Sequence, residues 1–207
     1  MTITGGAPGQ YPLGTTTITW KATDGAGNSA TATQVITVVD TTKPSLTLPA
    51  GIIVDATSPS GAIVTYATSA SDIVSGAVAV VCSKASGTTF PIGTTVVSCT
   101  AADGAGNTVS GDFTVLVQAA AAQVGNLVAK VQAFNLAQGI TNSLDAKLAN
   151  ILSALNAAQT GNVSNVCGQL GAFISQVAAQ SGKSLTAAQA AELTADAQRI
   201  QAVVGCS

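Results

Sequence analysis

Asp24-Gly25-Ala26-Gly27-Asn28 and Asp103-Gly104-Ala105-Gly106-Asn107 set two oxygen-bearing side chains around a pair of glycines, twice in one chain. Such loops can offer oxygen to a hard cation, and Asp40 stands between the two copies. Calcium gathers about six to eight oxygens, more than Asp24, Asp40, Asp103 and Asn107 supply at any one place. A plain turn accounts for the same residues, because Asp and Asn bond to nearby backbone and glycine takes positive φ. Calcium is therefore the single cofactor candidate, with the turn as its competitor.

Catalytic chemistry has little to work with. There is no histidine, so the commonest general base and the base of nucleophilic triads are both missing. Among nine acids, Glu192 and Asp196 sit four apart on an expected helix, a spacing that usually marks a solvated face. A glycosidase-type carboxylate pair across strands has no positive support. Gly25-Ala26-Gly27 precedes neither a helix start nor a lysine, so it is no phosphate loop. Lys21 has no identifiable acid partner for an isopeptide cross-link. Asn162-Val163-Ser164 matches a glycosylation sequon, but the same residues suit a helix cap. The chain is expected to be non-enzymatic, with no catalytic residue.

Four cysteines allow three connectivities. Cys82 and Cys99 fall in a β-rich stretch, Cys167 and Cys206 in a helical one, which points to one staple per domain. With no CxxC spacing and no histidine, zinc lacks ligands. Disulfides imply an oxidising compartment. Met1-Thr2-Ile3-Thr4 carries neither a basic n-region nor an apolar h-region, so an export signal is expected upstream, or Met1 begins a cut piece.

Only 8% of the 207 residues are charged, 47% are hydrophobic, and the formal net charge is -2. Lys21, Lys43, Lys84, Lys130, Lys147, Lys183 and Arg199 are scattered singly. No basic face is available for phosphates, which disfavours nucleic acid and anionic membrane surfaces as partners. No apolar run reaches the roughly 18 to 20 residues that span a bilayer. A surface rich in Thr, Ser, Asn and Gln is solvated by hydroxyls and amides, or covered in an assembly.

These features are organised by a repeat. Tyr11-Pro12-Leu13-Gly14 through Asp24-Gly25-Ala26-Gly27-Asn28 recurs as Phe90-Pro91-Ile92-Gly93 through Asp103-Gly104-Ala105-Gly106-Asn107, each position of the second copy carrying the first copy's number plus 79. Aromatic-Pro-x-Gly makes a turn, the Thr/Val/Ile run alternates as a half-buried strand, and the Asp-Gly-Ala-Gly-Asn loop breaks it before the next strand. Residues 30–39 and 108–117 alternate likewise.

The stretch Thr41 to Gln118 resembles a hyalin repeat, an immunoglobulin-like extracellular domain also found in secreted bacterial proteins. The marks are Asp40-Thr41-Thr42-Lys43-Pro44, Leu48-Pro49-Ala50, Asp55-Ala56-Thr57, Gly61-Ala62, the Cys82 and Cys99 pair, Phe90-Pro91-Ile92-Gly93-Thr94 and the second loop. The resemblance implies a two-sheet sandwich of about seven strands and a role in adhesion or spacing. Residues 40–118 are thus expected as one complete repeat. Residues 1–39 match only its second half, since residue 1 aligns with residue 80. There Trp20 replaces Cys99 and Ile3 replaces Cys82, and the aromatic is expected to fill the volume of the lost disulfide. Half a sandwich leaves bare edges and a bare inner face, so strands from another chain, or packing onto the second copy, are expected to complete it. The alternative is a chain cut within a domain.

At Gln118 the composition turns to Ala, Gln and Leu. Leu144, Leu148, Ile151, Leu152 and Leu155 share one helical face, as do Val166, Leu170, Phe173, Ile174 and Val177. Gly161 should end the first of these helices and Asn162 or Ser164 cap the next. Thr186 with Gln189 forms a capping box for a last helix reaching Val204. A helix over about 121–137 completes a four-helix bundle-like domain at 119–207. Ser143 to Leu148, Cys167, Phe173, Lys183, Thr186 and Cys206 resemble a FIMAH-like helical module that follows such repeats in secreted bacterial proteins.

The expected fold class is multidomain, all-β plus all-α: an immunoglobulin-like sandwich, one complete and one half, before a small bundle. The expected function is a non-enzymatic extracellular structural or adhesive surface protein, a filament subunit assembled by strand complementation. Its partners would be copies of itself or another surface protein, met through residues 1–39. The alternative is a spacer or carbohydrate-binding region of a large secreted enzyme, with polysaccharide as partner.

Overall fold

The computed structural model describes residues 1–6, 9–157 and 163–206. Among them twelve strands in several sheets precede four helices, giving β-sandwich architecture followed by a helical part. The chain forms two compact units. One holds Met1–Thr47, Ser69–Val81 and Thr100–Ser110, the other Leu48–Thr68, Cys82–Cys99 and Gly111–Ser207.

In the first unit, β1 (Thr2–Thr4), β2 (Gly14–Thr23) and β3 (Ser29–Val38) form an antiparallel sheet in that order. Ile3 lies opposite Ala22, Trp20 opposite Ala32 and Ile18 opposite Gln34. Directly opposed residues share a face, so these six line one side, while Thr15, Thr17 and Thr19 line the other. Adding 79 carries Ile18, Trp20 and Ala22 onto Val97, Cys99 and Ala101. Those three are at most 1% exposed, whereas of Ile18, Trp20 and Ala22 only Ile18 is buried. Ile3 is 63% exposed and Trp20 half-exposed. Trp20 therefore does not fill a closed core in place of the disulfide. Its Nε1 donates to Gln34 Oε1 at 3.1 Å, and Gln34 stands where the second copy has the buried Phe113. Where the second copy has a disulfide and an aromatic in its core, the first has a hydrogen-bonded pair on an open face.

The next strands are β4 (Ser45–Thr47), β5 (Ile52–Asp55), β6 (Ala62–Val64), β7 (Ser69–Asp72), β8 (Gly76–Val78), β9 (Val80–Cys82), β10 (Thr88–Phe90), β11 (Gly93–Ala102) and β12 (Thr108–Gln118). They pair as β4-β7-β8, β10-β6 and β5-β12-β11-β9. The strands outnumber the expected seven because the chain changes sheets at short breaks. Only Ala79 separates β8 from β9, and Pro91, lacking an N–H for the ladder, ends β10 before β11. β5 runs parallel to the end of β12, Ile52 opposite Val115. The core of this part of the second unit is Phe90, Val97, Cys99 and Val115, all fully buried, with Phe113 edge-on to Tyr66 at 4.9 Å. Gly61 is required where it stands: its φ is +115°, and a Cβ there would fall 1.8 Å from the Phe90 carbonyl oxygen.

Helices α1 (Ala120–Ala133), α2 (Gln138–Ala157), α3 (Ser164–Gln180) and α4 (Ala187–Val204) follow in the second unit. Each packs on the next, and α1 returns against α4 to close the bundle. Leu144, Leu148, Ile151, Val166, Leu170, Phe173 and Val177 are fully buried, as their spacing predicts. α1 stops short of residue 137 because Asn135 turns to φ 49°, the left-handed conformation that Asn tolerates. The Thr186 and Gln189 capping box opens α4. Val163 occupies the N-cap of α3 and Ser164 its first turn, so Ser164 is not the cap. Gly161 and Asn162, the latter the first residue of the sequon, lie outside the described residues.

One buried residue fastens the bundle to the strands. Gln123, 1% exposed, donates from Nε2 to the carbonyls of Ala56 and Gln118, each at 3.0 Å, and accepts from Arg199 Nε at 3.1 Å. Arg199 then pairs with Asp55 at 2.7 Å and Asp196 at 3.1 Å.

Candidate functional site

The two Asp-Gly-Ala-Gly-Asn loops fold identically. Asp24 Oδ1 accepts from the backbone N–H groups of Ala26 and Asn28, both at 2.9 Å, and Asn28 Nδ2 donates to Asp24 Oδ2 at 3.0 Å. Asp103 Oδ1 accepts from Ala105 and Asn107 at 2.9 and 2.7 Å, with Asn107 Nδ2 on Oδ2 at 2.7 Å. Gly27 and Gly106 take φ of 91° and 90°, which closes the turn. The turn chemistry is thus complete in both copies. Asn28's side chain, then the backbone donors, hold the Asp24 carboxyl below its usual range. At Asp103 burial pushes upward, but the bonds from Asn107, Ala105 and Gly106 outweigh it, and the net direction is again downward.

The second loop differs from the first in its neighbours. Oxygens of Asp40, Asp72 and Asp103 lie within 4.8 Å of one another. Asp40 comes from the segment between β3 and β4, Asp72 ends β7, and Asp103 begins the turn between β11 and β12. Asp72 and Asp103 are each 8% exposed. Asp72 Oδ1 accepts from Val74 and Ser75 N–H groups at 2.8 Å, and Asp40 Oδ1 from Thr42 at 3.0 Å. Their Oδ2 atoms are buried and accept nothing. Asn107 Nδ2 reaches the Asp40 carbonyl at 3.2 Å, so Asn107 braces Asp40 with its amide nitrogen. Among the described residues the ion pairs lie elsewhere, on Lys130 and Arg199. The structure thus joins Asp40 and Asp103 to Asp72, which sequence reasoning missed, while Asp24 stays in the first copy's loop. A cleft of about 350 Å³ lined by Leu13, Val38, Asp40, Val74, Ser75 and Gly104 adjoins them.

A second feature is the open face of β1–β3. Ile3, Trp20, Ala22, Ala30, Thr31 and Ala32 line a groove of about 440 Å³, almost entirely apolar.

Elsewhere the chemistry is structural. Cys82 and Cys99 are bonded at 2.07 Å, Cys167 and Cys206 at 2.04 Å. Closing spans of 17 and 39 residues stabilises by about 3 and 4 kcal/mol in the chain-entropy account. Glu192 and Asp196 do not form a merely wet face: Lys130 on α1 bonds Asp196 at 2.6 Å and approaches Glu192 at 3.8 Å. No described helix is long and apolar enough to cross a membrane.

Residues 39–117 match the family model of the HYR domain. Hyalin of Strongylocentrotus purpuratus is 40% identical over 117 residues, covering 53% of this chain and 10% of that protein. Hyalin of Lytechinus variegatus is 38% identical over 117 residues, covering 53% of this chain and 22% of its own length. The chain spans a small fraction of these relatives. Within it, residues 39–117 are similar to the HYR domain.

Proposed function

We propose that this chain is a non-enzymatic extracellular structural or adhesive protein whose half repeat is completed by strands from another chain. One observation carries this reading. Val97, Cys99 and Ala101 are sealed in the second copy, while of the matching residues Trp20 and Ala22 line an open apolar groove. The occupant that fits is a set of strands from another chain whose apolar residues meet Ile3, Trp20, Ala22 and Ala32. Main-chain pairing at a free edge supplies affinity, and the inner face supplies selectivity. The hyalin likeness extends over more residues than the 39–117 of the HYR match, in keeping with half a repeat at 1–39 beside a whole one at 40–118, while 119–207 is read as a bundle from its four helices. Two disulfides suit an oxidising exterior. Repeated head to tail, such complementation builds a filament, in keeping with a secreted protein of the bacterial, FIMAH-bearing kind.

The single tryptophan, Trp20, reports on the face directly. Sedimentation velocity across a concentration series should show growing species whose Trp20 emission shifts to the blue, and Ala32→Arg should abolish both without lowering Tm. A monomer at every concentration, with unchanged emission, overturns the reading. The half-exposed indole beside Gln34 also favours the accessory-region alternative. Glycan binding by monomers, lost in Trp20→Ala, would establish that alternative instead.

A further inference from the structure

We infer that Asp40, Asp72 and Asp103 form a calcium site at the start of the complete repeat. Three carboxylates within 4.8 Å repel one another unless a cation lies among them. Hydrogen bonding leaves the arrangement unfinished: Asp72, 8% exposed, points a buried Oδ2 at no donor, and so does Asp40. A buried carboxylate oxygen without a donor carries a full desolvation cost, which a metal would offset. The backbone donors on each Oδ1 fix the carboxylates before any ion arrives.

The donor set chooses the ion. Oxygens alone exclude thiophilic metals and favour hard cations. Calcium–oxygen distances of about 2.3–2.6 Å allow ligands up to about 5 Å apart across one ion, which a 4.8 Å cluster meets. Magnesium demands near-ideal octahedral geometry at about 2.0–2.1 Å and dehydrates reluctantly, so it suits a cage of three protein carboxylates less well. The adjoining cleft at Asp40, Ser75 and Gly104 admits the water that completes the shell. Since Asp40 lies outside β3 and β4, the ion would tie the segment between the two copies to two loops of the complete repeat. This assignment is independent of strand complementation.

The test uses the whole chain, stripped with chelator and kept dilute enough to stay dispersed. Calorimetric titration with calcium chloride should give one ion per chain with a Kd on the order of 10⁻⁴–10⁻³ M, the range of extracellular modules. Tm should rise with calcium and respond far less to magnesium. Asp72→Asn keeps the Oδ1 acceptor for Val74 and Ser75, and should weaken binding by about tenfold or more while Asp24→Asn leaves it unchanged. If Asp72→Asn does not fold, Asp40→Asn, outside any strand, is expected to give the same loss. Absence of heat and of any Tm shift up to about 20 mM calcium, an equal response to magnesium, or undiminished binding in the foldable variant would each overturn the site.

Discussion

Asp24 shows how one side chain can hold a loop with no help from burial. Its two carboxylate oxygens receive two backbone N–H groups and the Asn28 amide, and each bond favours the ionised form. The folded chain therefore releases this proton at lower pH than the unfolded chain, whose Asp titrates near about 3.9. The contribution is fully present above that value and is lost as pH falls through the lower folded value. An NMR titration should place the Asp24 carboxyl below the ordinary range, and Asn28→Ala should move it upward. An unmoved midpoint in Asn28→Ala would show that the Asn28 amide is not the main cause. Trp20 and Gln34 act at the same scale: replacing Cys99 and Phe113 of the other copy, they form a polar link across a face that is otherwise apolar.

At the level of elements, α1 is the joint. Gln123→Ala would leave the Ala56 and Gln118 carbonyls and Arg199 without their partner, and should cost about 2–3 kcal/mol, read as a lower midpoint in urea with an unchanged slope. An unaltered midpoint would mean that water replaces the amide without loss. The sequence could not single out Gln123, because glutamine is ordinary on a helix and nothing local marks this one as buried. What was legible has a local or periodic cause: the repeat itself, the leucine faces of α2 and α3, the Thr186 capping box, the two Asp-Gly-Ala-Gly-Asn turns. What was not legible depends on contacts distant in sequence. Asp72 is a lone acid at a strand end, and only the fold brings it to Asp40 and Asp103. Trp20 looked like a core residue because its strand alternates correctly, but alternation reports which face a residue takes and not whether that face is covered. Glu192 and Asp196 looked solvated because Lys130 approaches from another helix.

For the whole molecule, low charge and two disulfides fit a protein built to be covered and cross-braced. Its two Asp-Gly-Ala-Gly-Asn loops are alike down to their hydrogen bonds, yet among the described residues only Asp103 of the two has two acidic neighbours. The counterparts of Asp40 and Asp72 beside Asp24 would belong to the strands that complete the first repeat. Each completed repeat should then acquire an ion of its own. Metal content becomes a tally of finished joints: dispersed chains should carry one calcium each and assembled chains two, measurable by elemental analysis of sedimented material. Asp24→Asn, silent in solution, should then weaken the polymer alone. Equal metal content in dispersed and assembled chains would show that the covering strands bring no acids to Asp24.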